Sequence, residues 1–323
     1  MYTIITKEIL VFQMIFVVNT GRILVATTDN TIALWDFKKK TPECVQSLQM
    51  SKERVTEICL ELQDKWLYIG TDKGNMHVLN METFSFSGYK IDWNRLMDPA
   101  QKHHPGPIKH ISVNPAESSK VLVAFETGLM TLWDLAAKKG EQRFIHTQKL
   151  GSICWHMEGK QFVSSYHDGS LVTWNIKPAA QVGEGLATRK PASIIFPHGK
   201  KDKETGKIEP CEPIDKVIWR TDRSNYVDYF VFSGGLQRDV TGVPPSITFM
   251  RGKSTTVLEL EHNVLDFLLA TDSPYTNDYQ DPRAIIAMLS NDVVAIDCKS
   301  AGYPCFKNPY AMDFNDSPVT TCR

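Results

Sequence analysis

A strand–turn–strand unit that recurs along the chain limits, more than any other feature, what the chain can fold into. It is clearest at residues 120–176. The first copy reads Lys120-Val-Leu-Val-Ala-Phe-Glu-Thr-Gly-Leu-Met-Thr-Leu-Trp-Asp134, the second Gln161-Phe-Val-Ser-Ser-Tyr-His-Asp-Gly-Ser-Leu-Val-Thr-Trp-Asn175. The flanking runs are rich in Val, Leu, Phe and Trp, which suits a pleated, mostly buried surface. The turns carry Gly128 and Gly169, residues free to take the positive φ that a tight hairpin needs. One such hairpin cannot bury its own two faces and must stack on neighbours.

The unit occurs twice more. Ala26–Asn30 turns into Thr31–Asp36, and Trp66–Gly70 turns through Thr71–Gly74 into Asn75–Asn80. From turn to turn, Asn30 to Gly74 is 44 residues, Gly74 to Gly128 is 54 and Gly128 to Gly169 is 41. Two of these intervals match the roughly 40–45 residues of a WD-repeat propeller blade. The longer one points to an insertion at Gly88–Pro107. The expected fold is therefore all-β, a WD-repeat β-propeller. Trp35, Trp133 and Trp174 recur at one place in the unit and read as core. Residues 1–177 are expected to hold the regular blades, and 178–210, rich in Gly, Pro, Ala and Lys, to be irregular loop. Residues 211–323 are expected to hold divergent blades, with a hairpin at Tyr229–Gly235 and Ser246–Met250. A second lies at Ala284–Leu289 and Val293–Asp297, where Ile296 takes the place of the closing Trp. About five or six blades are visible, and Pro318–Arg323 reads as the opening strand of another. An unclosed ring would expose strand edges, so the chain is expected to be part of something longer.

The apolar run Ile9–Val18 is broken by Gln13 and falls far short of a bilayer span. No basic leader or clean cleavage site accompanies it, so it reads as a strand. Net charge is −1, which gives no global field for nucleic acid or an anionic membrane. Seven scattered cysteines, an odd number without a Cys-x-x-Cys pair, point to a reducing, cytosolic compartment.

Chemical motifs are sparse. Arg251-Gly-Lys-Ser-Thr255 is similar to the end of a phosphate-binding loop, but Ile247 stands where the first glycine is required, and the flanks are β-like. A hairpin turn is the expected reading. Cys154 and His156 share a strand face, yet two ligands make no zinc site, so they read as a buried thiol and a structural imidazole. His167 precedes a turn with no nucleophile in view. No hydrolase or metallopeptidase signature occurs, and no catalytic residue, metal or cofactor is expected. An enzyme or small-molecule binder using the axial channel would need His, Asp or Glu converging at blade starts, which the spacing does not offer. The expected function is a non-enzymatic interaction scaffold. Its candidate partner-contact loop holds His198, Lys200, Lys201, Lys203 and Lys207; the interleaved Asp202 and Glu204 leave a merely solvated loop as the alternative.

Several segments carry a family resemblance: Lys65-Trp-Leu-Tyr-Ile-Gly-Thr-Asp-Lys-Gly-Asn75, Phe86-Ser-Gly-Tyr89, His104-Pro-Gly-Pro107, Trp155-His-Met-Glu-Gly-Lys-Gln-Phe162, Pro197-His-Gly-Lys200, Val231-Phe-Ser-Gly-Gly-Leu236 and Ser317-Pro-Val-Thr320. The chain resembles the WD-repeat family of lethal giant larvae proteins and tomosyns, its tomosyn branch in particular. The resemblance implies a seven-bladed ring, of which this chain holds part, and places the family's own domain after about residue 211. It implies syntaxin-type SNARE proteins as partners and control of vesicle exocytosis. It also implies a cytoplasmic protein associated peripherally with the plasma membrane. The alternative within the family is a cell-polarity and cortical scaffold linked to myosin II or Rab-type GTPases. No sustained heptad run supplies a SNARE-like coiled coil, and no functional residue transfers one by one.

Overall fold

A computed structural model of the chain describes residues 9–306, apart from 62, 64, 98–102, 178–185, 202–205, 207, 239–241, 243 and 291. Its strands form six antiparallel blades. The first is β1 (Val11–Val17), β2 (Arg22–Thr27), β3 (Thr31–Asp36) and β4 (Glu43–Gln49); the second is β5 (Val55–Leu60), β6 (Trp66–Thr71), β7 (Met76–Asn80) and β8 (Ser85–Ile91). The third is β9 (Ile108–Val113), β10 (Lys120–Phe125), β11 (Leu129–Asp134) and β12 (Lys139–Ile145), extended by the parallel strand β16 (Ala187–Arg189). The fourth is β13 (Leu150–Trp155), β14 (Gln161–Tyr166) and β15 (Leu171–Asn175), completed by β17 (Ser193–Ile195). The fifth is β18 (Val217–Thr221), β19 (Asp228–Ser233), β20 (Ser246–Arg251) and β21 (Ser254–Glu259); the sixth is β22 (Val264–Thr271), β23 (Pro282–Leu289) and β24 (Val293–Asp297). The all-β propeller expected from the repeat is the observed architecture.

The repeat fixes the register of the central hairpins. Ile23 faces Trp35, Val121 faces Trp133, Phe162 faces Trp174 and Ile285 faces Ile296. The turn glycine is a requirement in the third blade. Gly128 has φ of 90°, and a Cβ there would lie 2.3 Å from the His146 carbonyl oxygen.

The core is distributed over the junctions between blades. Leu24 and Leu34 pack with Ile58 and Ile69 between the first and second blades. Tyr68 and Met76 pack with Ile111 and Val123 at the next junction, and Leu122 and Leu132 with Phe162 and Trp174 at the one after. Val163 meets Val217 and Phe232, and Phe249 meets Phe267 and Ile285. Among the described residues, no apolar cluster joins the sixth blade to the first.

That asymmetry corrects one expectation. Trp133 and Trp174 are fully buried, but Trp35 is only half-buried. The closing Trp of a blade faces the preceding blade. Trp133 lies among second-blade residues and Trp174 among third-blade residues, whereas no described blade precedes the first. Phe16 on the same exposed flank is 60% accessible. A second correction concerns 178–210, expected to be irregular throughout. It contributes β16 and β17, three-residue strands that cap the third and fourth blades. β17 is exposed along its whole length, so it shows no apolar alternation for sequence reading to detect. A third concerns Gly88–Pro107: Gly88 lies inside β8, so the extra residues begin after Ile91 and include a 3-10 turn at Trp93–Arg95. Residues 318–323 lie outside the described residues.

Burial also ranks the tryptophans by energy. The Trp174 indole donates to Ser164 Oγ at 2.8 Å, whose hydroxyl donates to Tyr166 Oη at 3.0 Å. Trp174→Ala removes a large buried ring and should cost roughly 3–5 kcal/mol. Trp35→Ala should cost less than half of that. Urea unfolding checks both; equal losses would contradict the placement of the two rings.

Candidate functional site

The innermost strand of every blade pairs on one side only, so its other edge faces the axis with unpaired backbone groups. Such groups need partners when buried. Side chains from the adjoining blade supply them. Gln13 of β1, buried, donates its amide to Ile58 O at 2.7 Å and accepts from Ile58 N at 2.8 Å. Thr56 Oγ1 donates to Ile108 O at 2.7 Å, joining β5 to the start of β9, and the Trp155 indole donates to Ser112 O at 3.3 Å, joining β13 to β9. Val217 N donates to Ser152 Oγ at 2.8 Å, and Trp219 N to Cys154 Sγ at 3.3 Å. Lys216 Nζ reaches Phe267 O at 2.6 Å.

Each contact carries backbone hydrogen bonding from one blade to the next. Gln13→Glu keeps the shape but sets a carboxylate against the Ile58 carbonyl. Loss of stability by about 1–3 kcal/mol is expected, read as a lowered urea midpoint; an unchanged midpoint would remove Gln13 from this role.

The same strands enclose an axial cavity of about 400 Å³, lined by Met14, Glu57, His110, Cys154 and Arg220 of the first five blades and by Thr276 between β22 and β23. The spacing along the chain offers no convergence of His, Asp or Glu at blade starts; the structure brings one such pair together. His110 Nδ1 lies 3.6 Å from Glu57 Oε1, and Arg220 Nη1 donates to Cys154 Sγ at 3.2 Å. Register within each inner strand brings these groups together, and distance along the chain conceals it. The result is a cavity of mixed polarity. Among the described residues no cluster of three or more His, Cys, Asp or Glu forms a metal-binding group. Cys154 is half-buried. The His156 ring lies 4.9 Å from that of Trp219, tilted by 52°, and its Nε2 is 3.4 Å from Asp228 Oδ1, a structural position as expected.

A second polar centre, in the second blade, organises a half-buried carboxylate. Glu53 accepts from Thr71 Oγ1 at 2.6 Å, from Asn75 Nδ2 at 3.1 Å and from Lys90 Nζ at 3.1 Å; His77 Nε2 lies 3.3 Å away. Burial alone would raise its pKa. The donors outweigh burial and bring it down from 4.5 to about 2. With the folded value below the unfolded one, the unfolded chain takes up this proton first on acidification. The stabilisation is therefore complete above about pH 5 and is lost as pH falls toward 2. Glu53→Gln should cost roughly 2–3 kcal/mol at neutral pH after allowance for solvent screening, and its stability gap from the parent chain should narrow progressively as pH falls from about 4.5 toward 2. Denaturation measured across that range checks it; a gap independent of pH would contradict it.

The candidate contact loop is divided by the structure. His198 turns inward: its Nε2 is 2.8 Å from Thr248 Oγ1 on β20, its ring is 6.0 Å from Phe232, and burial holds its pKa below the ordinary value. Lys200 and Lys201 are exposed, in a short bridge where Lys201 pairs with Ile208 and Glu209 N donates to Lys200 O. Lys203 and Lys207 lie outside the described residues. His167 Nε2 faces Asp215 Oδ1 at 3.3 Å. Residues 251–255 form the β20–β21 hairpin, with Gly252 at φ of 58°, as expected.

Comparison with known proteins is consistent with this geometry. A protein-family model described as LLGL2 matches residues 195–304, from the last residue of β17 through the fifth and sixth blades. The rat "Lethal(2) giant larvae protein homolog 1" is 24% identical over 335 residues, covering 96% of this chain and 31% of its own length. The human "LLGL scribble cell polarity complex component 2" is 24% identical, covering 90% of this chain and 29% of its own length. The chain thus spans about a third of the length of these relatives. A chain in the crystal structure of the mitotic checkpoint complex superposes with a TM-score of 0.63 at 13% identity, over 94% of this chain and 80% of that one. That likeness is one of fold. Among the described residues, no helix is long and apolar enough to cross a membrane.

Proposed function

As a distant relative of the lethal giant larvae proteins, this WD-type propeller is, we propose, a non-enzymatic scaffold of the cell cortex that serves cell polarity. The observation that carries the reading is the alignment with those relatives, collinear over 96% of the chain and hence across all six blades. The printed name of a second relative, a scribble cell polarity complex component, supplies the polarity context. Blade edges, hairpin turns and the mouth of the axial cavity offer binding surfaces, and partners linked to myosin II or to Rab-type GTPases fit the proposal. The protein acts in the cytoplasm and reaches the plasma membrane through its partners.

A second reading is favoured by the segments that resemble the tomosyn branch, among them His104-Pro-Gly-Pro107 and Pro197-His-Gly-Lys200. Here the scaffold binds syntaxin-type SNAREs and restrains exocytosis. One pair of experiments separates the two. The tagged full-length product is imaged in polarised epithelial cells, and its binding to purified myosin II and to a purified syntaxin cytoplasmic domain is measured. The proposal expects cortical enrichment and myosin II binding. Diffuse distribution with no myosin II binding would overturn it, and syntaxin binding alone would establish the second reading in its place.

A further inference from the structure

The second and third blades line an open cavity of about 410 Å³ that shares no lining residue with the axial cavity. Trp66 and Tyr68 reach it from β6 as alternate residues on one face of the strand, and Tyr89 reaches it from β8. Ser119 and Lys138 come from hairpin turns of the third blade. The Tyr89 ring is pinned, because its Oη accepts the Trp133 indole at 3.0 Å.

Glu61 completes the lining and has an unusual environment. It is 8% exposed, and its Oε2 accepts no hydrogen bond from any described residue. No basic group forms an ion pair with it among the described residues. Burial raises its pKa, against the weaker pull of Lys65. A buried carboxylate oxygen without a donor is costly, and a cation that supplies one recovers much of that cost.

The aromatic walls already attract ammonium groups. Lys138 Nζ lies 5.6 Å from the centroid of the Tyr89 ring, and Lys65 Nζ 5.7 Å from that of Trp66. Both distances are within the range of cation–π attraction. Both lysines are exposed and can move aside.

We propose that this cavity receives a lysine ammonium from a basic segment of a partner protein, held against Trp66, Tyr68 and Tyr89 and paired with Glu61. Lys138 occupies the Tyr89 wall in the free protein and is the competitor that the incoming lysine displaces. The lysine stem lies along Val78 and Leu135, which also line the cavity. One or two methyl groups on the incoming lysine keep its charge and an N–H for Glu61; a third keeps the charge and the aromatic contact but removes the donor, and weakens binding. This deepens the scaffold reading, on which it rests, by giving one class of partner a chemical signature.

The test uses the full chain and short Gly/Ser peptides, neutral at both ends, with a central lysine, trimethyl-lysine or glutamate. Binding is followed through the Trp66 indole resonance. The lysine peptide should bind saturably, the trimethyl-lysine peptide saturably but more weakly, and the glutamate peptide not at all. Glu61→Gln should weaken binding about fivefold or more, and Lys138→Ala should strengthen it. Absence of saturable binding, indifference to Glu61→Gln, tighter binding of the glutamate peptide, or weaker binding in Lys138→Ala would each overturn the proposal. Lys138 is exposed, so its variant decides the matter even if Glu61→Gln fails to fold. Failure here leaves the cortical-scaffold reading standing, since that is decided by localisation and myosin II binding.

Discussion

A blade of this protein is apolar on both faces and unpaired along its inner edge, so it is stable only between neighbours. The rest of the structure depends on meeting those two needs. The faces are covered by packing at the junctions, Leu24 with Ile69, Met76 with Val123, Phe249 with Phe267. The inner edges are met by side chains such as Gln13, Thr56, Ser152 and Lys216. Packing is tolerant of identity, since many apolar pairs fill a junction about equally well. The edge contacts are specific, because each names one donor and one acceptor.

The same division explains what sequence reading reached. Hairpins were legible because they are local: Gly128 forces its turn, and the pairs Val121–Trp133 and Phe162–Trp174 follow from strand alternation. Ile296 filled the tryptophan place in the sixth blade on the same logic. What escaped depends on partners distant along the chain. Gln13 looked like a break in an apolar run, and only Ile58, 45 residues away, shows it to be a buried clamp. β16 and β17 are too short to carry a period. The burial of Trp35 depended on whether a preceding blade exists, which no local pattern records.

The candidate sites follow the same rule. His198 stood in a lysine-rich stretch and so read as surface, yet its imidazole bonds to Thr248, 50 residues on. The Glu57–His110 pair at the axis and the Glu61–Trp66–Tyr68–Tyr89 cavity needed blade register before they became visible. Of these, Trp66 and Tyr68 had the clearest signal in sequence, a pair of aromatics at strand spacing, but as candidates for core. Their half-open setting comes from Ser119 and Lys138 on the facing blade. Both groups lie at blade junctions and inner edges, which are the parts that local patterns describe least well.

The central claim is that inner-edge amides are held by side chains of the preceding blade as firmly as ladder amides are held by strands. Hydrogen exchange of the Ile58, Val217 and Trp219 amides tests it directly. The account predicts protection comparable to that of the mid-strand amides of Val123 and Val163, lost together with them as denaturant rises. Exchange at these three amides as fast as in the hairpin turns would show that the blades are packed side by side without being joined, and would contradict it.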